Sequence, residues 1–148
     1  MRKFLFIGML LLSFMAKAEH EEIVEVLKYV ETLNDPTAIG DGGDSWGVLQ
    51  IQEAAVDDVN RYFGTHYQHS DVFDVVCAEE VTILYMKMGA ELYFKRYGIE
   101  ATDEVLVRNH NGGIYRGHRI NATKKYYREY LKWKTRLEKR NELTLTLN

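Results

Sequence analysis

A mainly α-helical single domain with little or no sheet is the fold class that this 148-residue chain predicts, and three observations predict it. Apolar residues recur at three- and four-residue spacing in five stretches, whereas period-two alternation is almost absent. No repeat, linker or shift of composition divides the chain. Setting aside a leader over residues 1–18 leaves 130 residues, enough to bury one core and not two.

The leader itself has three parts. Arg2 and Lys3 precede the apolar run 4–15, and Ala16-Lys17-Ala18 offers small residues for cleavage, the pattern of a secretory signal. The run is short of the ~20 apolar residues that a membrane helix needs. Export is therefore expected, with a domain over 19–140 and a flexible tail over 141–148. Cys77 is the single Cys, so the domain has no internal disulfide and the thiol reads as a buried structural one. No His/Cys spacing suggests a metal, and no cofactor is expected.

The first helix is expected over 21–33, with Ile23, Val24, Val26, Leu27 and Val30 on one side. A Gly-rich connection, 34–47, follows and holds the only Pro. The apolar piece 48–51 leads into a helix over 53–63 that stops at Gly64, and 65–74 reads as a polar loop. A long core helix over 77–97 carries Val81, Leu84, Tyr85, Met88 and Leu92, with Gly98 as its stop. Thr102 is placed to cap a short helix ending before Asn111. Asn121 is placed to cap the last helix, over 122–139, where Tyr126, Tyr130, Trp133 and Leu137 form a stripe.

One residue breaks the pattern of the first helix. At ~100° per residue, with Ile23 at zero, Glu31 falls at about 80°, inside the apolar arc, while Glu21, Glu22 and Glu25 fall outside it. Burial disfavours the charged form of a carboxylate, and a protonated Glu can give its proton to a leaving oxygen. A rim position or pairing with a buried Arg is the plain structural alternative. The loop after it, Gly40-Asp41-Gly42-Gly43-Asp44-Ser45-Trp46-Gly47, suits one wall of a sugar site with Trp46 as its stacking face. No Lys-Ser/Thr follows to make a phosphate loop, and Asp41 and Asp44 lack the ligand spacing of a calcium loop.

Glu31-Thr32, Ala38-Ile39-Gly40, Gly47-Val48-Leu49-Gln50-Ile51, Asn111-Gly112-Gly113 and Thr123-Lys124-Lys125-Tyr126 occur in that order. Together they resemble the soluble lytic transglycosylases of the lysozyme-like superfamily, over roughly residues 23–130. The resemblance implies a lysozyme-like helical domain that cuts peptidoglycan glycan strands. It implies Glu31 as catalytic acid/base, Gln50 in the sugar groove, Asn111 in the family's Asn-Ala-Gly turn and Tyr126 near the carboxylate. Thr32 stands where Ser is usual, Val48 and Leu49 where Leu and Met are, and His110 where Tyr is frequent. His110 thus enters the expected substrate cleft as a second titrating group, with a structural role as the alternative. The stretch from Gly40 also resembles goose-type lysozymes, which implies that Asp41 orients a water; the second Asp of that pattern falls on Gln52.

Charge is unevenly spread: residues 19–107 carry 19 acidic and 5 basic side chains, and residues 108–140 carry 11 basic and 2 acidic. The basic part fits either a polyanion or the acidic part of its own fold. Nucleic acid is disfavoured because no binding motif accompanies the charge. Small members of the superfamily serve secretion systems, pili or phages, and the sequence does not choose among them.

Overall fold

A computed structural model describes residues 20–146; the leader lies outside them. Among the described residues the architecture is five α-helices and one very small sheet. Helix α1 spans 20–32, α2 Glu53–Phe63, α3 Val75–Tyr97, α4 Asp103–Gly112 and α5 Thr123–Thr146. Between α1 and α2 the chain makes two-residue strands β1 (Ile39–Gly40), β2 (Ser45–Trp46) and β3 (Ile51–Gln52). They pair antiparallel in chain order, Ile39 opposite Trp46 and Ser45 opposite Gln52. No helix among the described residues is long and apolar enough to cross a membrane.

The apolar arc of α1 is buried as its spacing requires: Ile23, Val24, Val26 and Leu27 join one core with Val56 and Val59 of α2, Val81 and Met86 of α3, Leu106 and Val107 of α4 and Tyr130 and Leu137 of α5. Loop residues Val48, Leu49 and Val72 complete it. Helix α1 ends by turning left-handed at Leu33 and Asn34; the Asn34 amide returns to Lys28 O at 2.9 Å and Leu33 N to Tyr29 O, which satisfies carbonyls that a helix end otherwise strands. The Thr32 hydroxyl donates to Val48 O at 3.0 Å. That bond ties the end of α1 to the 47–50 turn.

Helix α5 lies along α1. Trp133 stacks on Tyr29 with ring centroids 5.4 Å apart, Lys134 pairs with Glu22 at 2.8 Å, and Arg140 reaches the Tyr29 hydroxyl. Acidic α1 and basic α5 therefore do meet within the fold. Arg108 of α4 is buried and donates to Thr123 and Ile120 O while pairing with Glu104, which clamps the start of α5 on α4. Thr102 caps α4 through Val105 N, as its position predicts.

Three expectations need correction. The last helix does not stop near 139: no Gly or Pro follows Lys139, and α5 continues to Thr146, so 141–146 is helical rather than an irregular tail. Cys77 is only half-buried, at the start of α3, where its amide donates to the Asp74 cap. The polar loop 65–74 contains a 3-10 turn, His69–Phe73, whose Val72 is buried. Leu49 sits fully buried in this assembly of short segments. Leu49→Ala is expected to cost ~2–5 kcal/mol, read as the shift of the urea midpoint, whereas Leu131→Ala on the exposed face of α5 is expected within ~0.5 kcal/mol.

Candidate functional site

A cleft of about 410 Å³ opens beside the end of α1, within the size range of small-ligand sites. Glu31 contributes from α1, Asp41, Ser45, Gln50 and Gln52 from the small sheet and its turns, Asp58 from α2, Thr82 and Tyr85 from α3, and His110 to Gly113 from the end of α4 and the residue after it.

Glu31 is the most constrained member. Its side chain is 16% exposed. The Tyr126 hydroxyl on α5 donates to its Oε1, and His110 Nε2 stands 3.3 Å from the same oxygen with a side chain only 9% exposed. Among the described residues Oε2 takes no protein hydrogen bond, and it is not sealed from solvent. Burial first, then the charge of Glu31, pushes the Tyr126 phenol well above its usual range, so Tyr126 stays a hydrogen-bond donor throughout ordinary pH. With Oε1 committed to accepting from Tyr126, a proton on Glu31 belongs on Oε2. That is the oxygen left without a protein partner among the described residues, on a side chain that lines the cleft. The contact links residues 95 apart in sequence, and it exists because α5 lies along α1.

The turn preceding β3 forms the opposite wall. Gly47 N donates to Ala38 O at 2.9 Å, Gln50 N returns to Gly47 O at 3.1 Å, and Gln50 itself has a positive φ of 49°. The Gln50 side chain spends both amide hydrogens on the loop, donating to Gly47 O at 3.0 Å and to Ala38 O at 3.3 Å. Its Oε1 lies so close to Gly40 that a Cβ there would meet it at 2.1 Å. Gln50 does line the cleft, but as a brace for the loop, and its Nε2 is not free for a sugar.

Asp41, also at positive φ, lines the cleft and accepts from the Ser45 hydroxyl at 2.6 Å. Ser45 in turn accepts from Gln52 Nε2 at 3.3 Å, so a buried hydroxyl orients the carboxylate. Asn111 lines the cleft and is exposed.

Trp46 is not part of this cleft. Its ring stacks on His69 with centroids 4.0 Å apart and on Phe73 at 5.3 Å, and its Nε1 donates to Gly43 O at 2.6 Å. It faces a second groove of about 750 Å³ with Asp44, Asp57 and Gln68, which shares Gln52 and Ala54 with the first. Trp46 thus stands in the groove next to the Glu31 cleft and not in that cleft, its indole stacked on the 3-10 turn 69–73.

Sequence reasoning placed Glu31, Asp41, Gln50, His110 and Asn111 in one cleft, with Tyr126 near the carboxylate, and it missed Asp58, Thr82, Tyr85 and Ser45. Tyr85 was visible only as part of an apolar stripe; its hydroxyl accepts from Ile114 N and reaches the cleft beyond the core. Ser45 carried no signal beyond being four residues from Asp41. Among the described residues no group of His, Cys, Asp and Glu gathers as a metal site. No protein-family model matches the chain, and no curated protein matches it.

Proposed function

We propose that this chain is a lytic transglycosylase of lysozyme-like type that cuts the β-1,4 bond from N-acetylmuramic acid to N-acetylglucosamine in peptidoglycan, with Glu31 as acid and then base. One observation carries the reading: a cleft-lining, half-buried carboxylate with one oxygen fixed by a tyrosine hydroxyl. A proton on Oε2 passes to the bridging oxygen as that glycosidic bond breaks, and the freed N-acetylglucosamine end keeps it as a hydroxyl. The ionised Glu31 then takes the proton of the muramic C6 hydroxyl, whose oxygen closes on C1 as a 1,6-anhydro ring. Proton and charge return to their starting state. An internal hydroxyl has a large effective concentration, so no activated water is needed. The substrate's N-acetyl group and Asp41 are the candidates to support the oxocarbenium-like state.

Hydrolysis of the same bond is the second reading, favoured by the Ser45-oriented Asp41 carboxylate in the cleft. Digestion of purified sacculi, with the released muropeptides weighed by mass spectrometry, separates the two. Anhydro-muramic ends support transglycosylation, new reducing ends support hydrolysis, and intact sacculi leave only a glycan-holding module. Export, and service to a secretion, pilus or phage machine, belong to the same proposal.

Tyr126→Phe removes the donor on Oε1 and nothing else of comparable size. It is expected to lower kcat by ~10–100-fold with KM nearly constant, since the hydroxyl acts on Glu31 and not on bound glycan. Steady-state rates on isolated glycan strands check this.

A further inference from the structure

Not all of the positive charge is spent inside the fold. Arg108, Lys132 and Lys134 each pair with a carboxylate, but among the described residues Arg96, Arg116 and Arg119 pair with none. All three are exposed, and they meet where the end of α3 packs beside the 3-10 turn Gly117–Arg119 that follows α4. We propose that these arginines, with the side chains of Tyr97, Ile99 and Tyr115, dock the protein on the surface of an anionic phospholipid bilayer. The inference does not rest on the glycan-cleaving reading.

His118 holds the two segments together. Its backbone amide and its Nδ1 both lie on Asn109 Oδ1, at 2.8 and 3.0 Å. With Nδ1 donating there, Nε2 is left as the acceptor for the Tyr97 hydroxyl, 3.5 Å away. The rings of Tyr93 and Tyr97 meet the imidazole edge-on, with centroids at 5.2 and 5.8 Å. The Arg96 guanidinium lies over the Tyr97 ring, 5.5 Å from its centroid, and Arg119 donates to Tyr115 O at 3.4 Å. Gly117 fits so closely on α4 that a Cβ would lie 2.4 Å from Arg108 O, so the turn is clamped and the surface is formed in advance. Burial first, then the charges of Arg119, Arg108 and Arg96, push the His118 imidazole below its usual range. Those charges are all positive. Glu100, close by in the chain, is exposed and is not among them.

The apolar side chains decide what kind of anion fits. Tyr97, Ile99 and Tyr115 are 40%, 59% and 63% exposed. A soluble anion would satisfy the guanidinium groups and leave these three side chains in water. A bilayer surface receives both: its phosphates accept from arginine, and tyrosine and isoleucine enter the boundary between headgroups and acyl chains. Tyr115 follows Gly113 and Ile114, and Gly113 lines the cleft, so the docking surface begins at the edge of the Glu31 cleft.

Co-sedimentation of the full chain with phosphatidylcholine vesicles, with and without phosphatidylglycerol, tests the proposal. The neutral vesicles report whatever the apolar run 4–15 contributes, and the excess on anionic vesicles belongs to the surface charge. One Arg near an anionic surface is worth ~5-fold in partition, so joint Arg96→Gln, Arg116→Gln and Arg119→Gln should cut that excess at least ~30-fold. Arg128→Gln, Lys132→Gln and Lys139→Gln together change net charge equally from the exposed side of α5 and should cut it less than ~5-fold. Equal losses in the two triple variants overturn the proposal, because net charge alone would then suffice. Ile99→Ser with Tyr115→Ser keeps every charge and should cost ~10-fold. No loss there means that the arginines hold a bare anion, and it overturns the bilayer. Hydrogen exchange read by mass spectrometry needs no variant: 94–99 and 114–119 should slow on anionic vesicles only, with 53–63 unchanged. Unslowed exchange at those segments overturns the proposal even if the leader carries the chain down with the vesicles, and leaves the surface to an acidic protein.

Discussion

Glu31→Gln is expected to abolish glycan cleavage, by more than ~100-fold in turnover, the lower scale for a lost general acid, while the fold is kept. The amide matches the carboxyl group in size. Its Oε1 still accepts the Tyr126 hydroxyl, so that long-range bond survives. What changes is the atom facing the cleft, where an amide NH₂ cannot lose a proton to a glycosidic oxygen or take one from a C6 hydroxyl. Stability is expected to hold or rise, because a polar carboxyl group set among apolar neighbours is kept for reactivity rather than for folding. Circular dichroism and the thermal midpoint check the fold, and release of muropeptides checks turnover. A Glu31→Gln protein that still releases anhydro or reducing ends at near wild-type rate would remove Glu31 from the chemistry and leave a holding module as the reading. Asp41→Asn sharpens the comparison: it should lower reducing ends more than anhydro ends if the two outcomes share the cleft, because hydrolysis alone also needs a carboxylate to orient a water.

The parts of this site that were legible in the sequence are those set by local periodicity. Glu31 stood out because a 3.6-residue repeat places it among Ile23, Val24 and Leu27, all of them buried. Helix ends at Gly64 and Gly98 were legible because glycine tolerates the left-handed turns found there. The contact with Tyr126 was not available from spacing at all, since α5 had first to be laid along α1; only ordered motifs suggested it. The strands escaped notice because two residues are too few to show alternation. The place of Trp46 in the neighbouring groove was hidden for a related reason, as its partners His69 and Phe73 come from a turn with no regular repeat. The role of Gln50 was invisible because polarity alone does not say whether an amide faces ligand or braces its own loop.

That brace yields the second large effect, Gly47→Ala. The Gly47 φ is +74°, a left-handed conformation that costs a side chain ~1–2 kcal/mol. A Cβ there would lie 2.2 Å from Val72 O, a backbone atom of the 69–73 turn, and backbone cannot rotate aside as a long side chain can. Overpacking of this kind costs a further ~1–3 kcal/mol, so a loss of ~2–5 kcal/mol is expected in urea unfolding. Gly43→Ala is the control: its φ of +114° is also positive, but nothing lies within 4 Å of its Cβ, so only conformational strain applies. Equal stabilities for the two variants would disprove the steric account. The damage should not stop at stability, because Gly47 O receives both the Gln50 amide and its side-chain Nε2, and Gln50 packs on Gly40, next to Asp41. Separating Gly47 from Val72 therefore shifts the wall opposite Glu31, so residual folded Gly47→Ala should bind glycan more weakly and raise KM. Glu31→Gln, by contrast, should lower kcat with the wall in place, so the two variants distinguish the group that moves the proton from the loop that holds the sugar against it.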